Sequence, residues 1–172
     1  MPKSGKIEVY HKGSARLGIL LQADTDLRIY NFCDSDWGAC PLSRQSLTGY
    51  FVCLGGSLIS WKTKKQVTVF RSSAEAEYRS MAVATSEPVW LWTCLASLGV
   101  FLEQPMKLFC DSQVAPHIAK NSAFHECTKH IKINCHFVRE KLEAGILTLS
   151  HVGTKEQLAD IFTKALGKRQ FQ

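Results

Sequence analysis

Apolar residues come in short runs separated by polar turns, and other stretches repeat at helical spacing. The run through Ile29-Tyr30-Asn31-Phe32-Cys33 predicts a first strand over 27–33, and the polar stretch 38–48, with Pro41, predicts a loop. Apolar runs over 49–54 and 57–62 flank Gly55-Gly56, a hairpin signal, and 67–70 reads as an extension of the third strand's sheet edge. Ser72-x-x-Glu75 is a capping box, so a helix begins at Ser72 or Ser73. It runs to about Leu98, before Gly99, with a kink or restart at Pro88. A fourth strand is predicted over 106–110 and a short helix from Ser112. A further helix is predicted over 126–143, where Ile131, Cys135, Val138 and Leu142 recur at helical spacing, and a fifth strand over 146–151. Thr154 and Gln157 form a second capping box and open a last helix. Its core face is Leu158, Ile161, Phe162 and Ala165, and Gly167 stops it. Gly18-Ile19-Leu20-Leu21 is a candidate short strand, and 1–16 have no clear period. The order β-β-β-α-β-α-α-β-α makes the opening strands antiparallel and the later ones parallel. That is an α/β fold with a mixed five-stranded sheet flanked by helices.

Four acids fall at telling places in this pattern. Asp34 and Asp111 end apolar runs, Glu77 lies early in the long helix, and Asp160 lies in the last one. A carboxylate at the end of a buried strand has its pKa raised unless a cation offsets the charge. Two such acids with two more on helices suggest a cage of hard oxygen ligands for magnesium or manganese. A pair of ions in that cage can clamp a phosphodiester for in-line hydrolysis. Asp36 lies two residues beyond Asp34 and shares its side of an extended segment. Glu75 lies two before Glu77, about 200° away around a helix. A zinc site competes for other residues: His125, Cys127, His130, Cys135 and His136. Against it, Cys135 already belongs to the helical apolar stripe, and closed zinc sites usually pair ligands around a turn.

The 172 residues are enough for one domain with a real core, and 45% hydrophobic and 21% charged residues describe a soluble globular chain. No apolar run reaches membrane-spanning length, and Met-Pro-Lys-Ser-Gly-Lys has no apolar stretch behind it to make a secretory signal. Lys and Arg exceed Asp and Glu by 21 − 15 = 6, which favours a polyanionic partner. Lys62, Lys64, Lys65 and Arg71 bracket one strand, and Lys164, Lys168 and Arg169 close the chain. Trp37, Tyr50 and Trp61 flank basic residues and are either stacking platforms or core. Seven irregularly spaced cysteines read as buried free thiols of a reducing compartment.

Six words recur in a fixed order: Phe32-Cys33-Asp34-Ser35-Asp36-Trp37, Ser46-Leu47-Thr48-Gly49-Tyr50 with Gly55-Gly56-Ser57-Leu58-Ile59-Ser60-Trp61, Ser72-Ser73-Ala74-Glu75-Ala76-Glu77-Tyr78-Arg79, Cys110-Asp111-Ser112-Gln113, Thr128-Lys129-His130-Ile131, and Gln157-Leu158-Ala159-Asp160-Ile161-Phe162-Thr163-Lys164. In this order they resemble the ribonuclease H domain of copia-type retrotransposon Pol polyproteins, from Gly18 to Phe171. The resemblance implies a ribonuclease H-like fold over 24–172, with 1–23 a remnant of the connection to a polymerase. It implies that Asp34, Glu77, Asp111 and Asp160 are catalytic metal ligands for two magnesium ions, with manganese as the alternative. Arg44, Lys62, Lys64, Lys65, Arg71 and His130 become candidate nucleic-acid contacts. The implied partners are an RNA–DNA hybrid and the reverse transcriptase polymerase domain of the parent polyprotein. The implied setting is intracellular, in the cytoplasm or a virus-like particle. No polymerase active-site pattern occurs in this chain, which therefore reads as a detached piece of a longer polyprotein.

Pro116 departs from the family's aliphatic residue, and Lys132 and Asn134 stand where acidic residues are common. Inside a helix a proline costs ~3 kcal/mol. Three functions stay open: a metal-dependent endonuclease acting on the RNA strand of hybrids, an inactive truncated relic that keeps the fold and nucleic-acid binding, and a zinc-dependent nucleic-acid binding module.

Overall fold

A computed structural model describes residues 27–112 and 129–164, together with Ile19 and Leu21. The five strands are β1 Ile29–Asp36, β2 Leu47–Leu54, β3 Ser57–Lys65, β4 Met106–Cys110 and β5 Leu147–His151. The helices are α1 Ser73–Ser97, α2 Lys129–Glu143 and the single turn α3 Asp160–Thr163, which a 3₁₀ turn at Thr154–Glu156 precedes. The sheet order is β3-β2-β1-β4-β5. β1 pairs antiparallel with β2 and parallel with β4, β2 pairs antiparallel with β3, and β4 pairs parallel with β5. This is the expected mixed five-stranded sheet flanked by helices. The parallel connections carry the chain across one face, and there α1 and α2 cover Ile29, Cys33, Val52, Met106, Leu108 and Leu147.

The other face carries an aromatic row. Phe109 stacks on Phe32 with centroids 4.6 Å apart, Phe32 stacks on Phe51 at 4.8 Å, and Phe162 of α3 meets Phe51 at 6.0 Å. Stacked pairs of this kind add about 0.5–1.5 kcal/mol beyond burial.

Several elements differ from the sequence-based expectation. β1 starts later and runs on to Asp36, because β2 begins at Leu47 and stays paired with it through Asp36↔Leu47. Asp34 therefore lies inside the strand rather than past its end. Residues 67–70 form no strand: Val67 and Val69 are exposed, while Phe70 is buried and its carbonyl accepts the Trp37 Nε1 hydrogen at 3.1 Å. Tyr50 is buried, whereas Trp37 and Trp61 are half exposed. α1 passes through Pro88 without a break. A proline at 88 leaves the carbonyl of Ala84 without its helical donor. Asn31 Nδ2 supplies one from β1 at 2.8 Å. Asn31→Ala should therefore lower stability by about 1–3 kcal/mol, read by thermal unfolding, since it leaves a buried carbonyl unpaired.

The Ser72 cap forms, with its hydroxyl accepting from Glu75 N at 3.3 Å, but Glu75 reaches Arg71 N rather than Ser72 N. The second capping box does not form: Gly153 stands at the N-cap of the 3₁₀ turn without a side-chain bond. Gln157 turns inward, and Leu158 and Ile161 are exposed rather than core. Ala165 and Gly167, the short helix from Ser112 with Pro116, the candidate strand 18–21 apart from Ile19 and Leu21, and the boundary at 23/24 lie outside the described residues. Ile131 and Val138 are buried on α2 and Cys135 and Leu142 pack beside them, as expected. Asn134 is buried and accepts from Arg79 Nη1 at 3.0 Å, so this departure from the family ties α2 to α1.

Candidate metal centre

Asp34 and Asp111 stand side by side where two parallel strands part. β1 and β4 pair through Phe32↔Phe109, β4 ends at Cys110, and both acids follow two residues later on the aromatic face. Ligand sites gather beyond the carboxyl ends of parallel strands. Glu77 arrives from the first turns of α1. The helix is pinned there by Ser80, whose hydroxyl donates to the Asp34 carbonyl at 2.7 Å. One carboxylate oxygen from each of Asp34, Glu77 and Asp111 lies within 4.8 Å of the others.

Asp160 comes from α3, and four hydrogen bonds seat that turn. Gln157 Nε2 donates to the Cys33 carbonyl at 3.0 Å, and Gln157 Oε1 accepts from Ala159 N at 3.1 Å. Thr63 Oγ1 donates to the Phe162 carbonyl at 2.8 Å. The Thr163 hydroxyl donates to Asp34 Oδ2. Gly49, opposite Asp34, makes the approach possible: a Cβ there would stand 2.7 Å from Phe162 Cβ and 2.7 Å from Thr163 Cγ2.

Lys164 closes the group. Its ammonium is 2.6 Å from Asp160 Oδ1, 3.4 Å from Asp34 Oδ1 and 4.0 Å from Asp111 Oδ2. The sequence reading placed Lys164 in a surface cluster with Lys168 and Arg169, so its place here is a correction. A basic residue one helical turn after a candidate ligand, Asp160, was the available signal. His151 was also missed. It ends β5 beside Cys110, is exposed, and its Nε2 lies 3.1 Å from the Asp111 carbonyl.

Electrostatics describe a site short of positive charge. Burial first, then the charges of Asp34 and Asp111, push the Glu77 carboxyl up to about 9, with Lys164 acting against them. Burial and Asp34 also raise Asp111. Asp160 is raised by burial, although the Lys164 hydrogen bond opposes this. Burial works against the Lys164 ammonium, yet its bond to Asp160 and the surrounding carboxylates hold its pKa above the usual value. Glu77 Oε2 is buried with no hydrogen-bond partner among the described residues. An orphaned carboxylate oxygen, beside two more within ligand reach, fits a hard divalent cation.

The other candidates divide. Lys65 shares the sheet face of Asp34 through Leu47↔Lys65, whereas Lys62 and Lys64 lie on the helix-covered side through Tyr50↔Lys62 and Thr48↔Lys64. Arg44 and Arg71 are exposed on loops, and Arg44 holds a left-handed backbone with φ 54°. His130 is the second residue of α2, and its side chain lies outside the described set. Of the zinc candidates, Cys135 packs on the core, His136 is exposed, and His125 and Cys127 lie outside the described residues. Cys33 and Cys110 are buried, and burial lifts both thiols, that of Cys110 to about 12. Cys40 differs from the expectation of buried thiols: it is part-exposed, and hydrogen bonds from Ser43 and then Lys65 lower it to about 6.

Comparison with known proteins bears on this arrangement. No family model matches. Over 163 residues, 95% of the chain, it is 41% identical to the retrovirus-related Pol polyprotein from transposon RE1 of Arabidopsis thaliana. Its homologues are retrovirus-related Pol polyproteins of transposons. The chain spans 11% of the length of the RE1 polyprotein. Among solved structures, LC11-RNase H1 in complex with RNA/DNA hybrid superposes with TM-score 0.59 at 10% identity, covering 84% of this chain and 100% of that one. RNase H1 of Halobacterium salinarum NRC-1 gives TM-score 0.53 at 16% identity, over 79% of this chain and 94% of that one. The retrotransposon chain thus has the ribonuclease H fold, as its motif order implied.

Proposed function

We propose that this chain is a retrotransposon ribonuclease H that hydrolyses the RNA strand of RNA–DNA hybrids endonucleolytically, using two magnesium ions or manganese in their place. The observation that carries the reading is the convergence of Asp34, Glu77 and Asp111, each offering a ligand atom within 4.8 Å of the others, around an unpartnered Glu77 oxygen. Bound divalent ions would supply activation of the attacking water and neutralisation of charge on the leaving oxygen. Asp34, Glu77 and Asp111 would hold one ion, and Asp160 would serve the second with Asp34. Ser80, Gln157 and Thr163 fix the positions of these acids. His151, exposed beside Asp111, is placed to carry protons between the product and solvent. Lys65 and Trp61 share the carboxylate face at the β3 edge and are the better placed contacts for a nucleic-acid backbone. Arg44, Lys62, Lys64 and Arg71 would add to the surrounding positive field, and His130 stands in a family motif word.

By the same reading, the partner in the parent polyprotein is a reverse transcriptase polymerase domain, and the setting is the cytoplasm or a virus-like particle. No described helix is long and apolar enough to cross a membrane. The relic reading rests on Pro116, outside the described residues, and on Lys132 and Asn134, whereas the assembled carboxylates favour the active one. The purified chain should cleave a labelled hybrid with magnesium, lose cleavage in excess chelator, and spare an all-DNA duplex lacking the 2′-hydroxyl. Absence of hybrid cleavage with both magnesium and manganese would decide for the relic.

A further inference from the structure

Lys164 is too close to the acids to be a bystander. Its ammonium is 2.6 Å from Asp160 Oδ1 and 3.4 Å from Asp34 Oδ1. The other Asp34 oxygen is engaged by the Thr163 hydroxyl. Both Asp34 oxygens therefore have partners, and Glu77 Oε2 has none among the described residues. Magnesium bonds oxygen at about 2.0–2.1 Å with near-octahedral demands. An ion using Asp160 Oδ1 and Asp34 Oδ1 would have to share that small space with an ammonium of the same sign.

We propose that Lys164 is an internal competitor of the divalent ions, holding Asp160 and Asp34 as their counter-cation until an ion turns it out. The inference rests on the metal-centre reading above. It makes loading unequal. An ion on the Asp34, Glu77 and Asp111 side gains the unpartnered Glu77 oxygen and meets the ammonium only through its longer contacts, 3.4 Å from Asp34 Oδ1 and 4.0 Å from Asp111 Oδ2. An ion drawing on Asp160 must displace the shortest contact. Lys164 can yield by side-chain rotation alone, because it stands at the C-cap of α3 with its side chain 35% exposed. Turned out towards solvent, the ammonium would be free to pair with a phosphate backbone. Lys164 is thus a positioning residue that couples the second metal step to the arrival of a polyanion.

The test is calorimetric titration of the whole chain with magnesium chloride and with manganese chloride, for wild type, Lys164→Met and Lys164→Arg. Lys164→Met should bind the second ion tighter by roughly three- to tenfold, the scale of removing one partly screened charge pair. Its metal-free melting temperature should fall, and Lys164→Arg should keep the weak second step. In wild type, the Lys164 side-chain nitrogen resonance should move towards that of a solvated lysine as magnesium saturates. A Lys164→Met second step no tighter than wild type, or a wild-type resonance unmoved at saturation, overturns the inference. Uptake of neither ion by wild type removes the metal-centre reading and this inference together. Uptake by wild type without a gain in Lys164→Met removes this inference alone.

Discussion

Gly49→Ala is expected to cut hybrid hydrolysis by about 10²-fold, the scale of an ångström-sized misplacement in a catalytic group. The reason is steric and local. The added Cβ would sit 2.7 Å from Phe162 Cβ and 2.7 Å from Thr163 Cγ2, and 3.3 Å from the Ala159 carbonyl oxygen. These atoms are not the free ends of flexible side chains. Phe162 Cβ and the Ala159 carbonyl move only with the turn that carries them, so α3 must lift from β2. Thr163 would then loosen its hold on Asp34 while Asp160 and Lys164 retreat from Asp34 and Asp111. Overpacking of this kind costs typically about 1–3 kcal/mol, so melting should fall by roughly 2–10 °C. Gly153→Ala is the control: its Cβ would meet nothing within 4 Å. Wild-type rates in Gly49→Ala would show that α3 does not position the acids.

The divide between what could and could not be read in the sequence follows the range of each interaction. Strand and helix patterning depends on neighbours a few residues apart, and among the described residues it located the five strands and the two long helices. Asp34, Glu77 and Asp111 were recognisable because each stands in a motif word at a predictable place on its element. What failed was decided by partners far along the chain. Pro88 reads as a break until Asn31, 53 residues from Ala84, is seen to satisfy the carbonyl it frees. Gln157 reads as a capping residue until its amide is found on Cys33, 124 residues away. Lys164 caps the turn that carries Asp160, but its bond to Asp34 spans 130 residues. A lysine in a basic chain end looks like a solvated charge until the fold brings acids around it. The extent of β1 was also misjudged, because Asp34 to Asp36 are polar and only their pairing with β2 keeps them in the sheet.

Glu77→Gln should abolish hybrid hydrolysis while raising the stability of the metal-free protein at pH 8 by about 1–2 kcal/mol, or roughly 2–8 °C in melting temperature. Glu77 is 8% exposed, one carboxylate oxygen has no partner among the described residues, and burial with Asp34 and Asp111 pushes the carboxyl up to about 9. In the unfolded chain a glutamate titrates near about 4.3. Between those two values the folded state holds a proton that the unfolded state has released. The group's contribution to stability is therefore full below the unfolded value and is lost as pH rises towards about 9. Glutamine keeps the shape and does not titrate. The advantage of Glu77→Gln should thus be small at pH 5 and widen steadily to pH 9, in thermal unfolding with chelator present. Saturating magnesium should reverse the order, because the ion offsets the charge in wild type and finds a weaker ligand in the variant. The same displaced proton must appear in solution when wild type takes up an ion at pH 7, as a heat that changes with the buffer. A melting gap between the two proteins that is equal at pH 5 and pH 9 would mean that Glu77 is already ionised in the fold, held by a partner other than the acids around it.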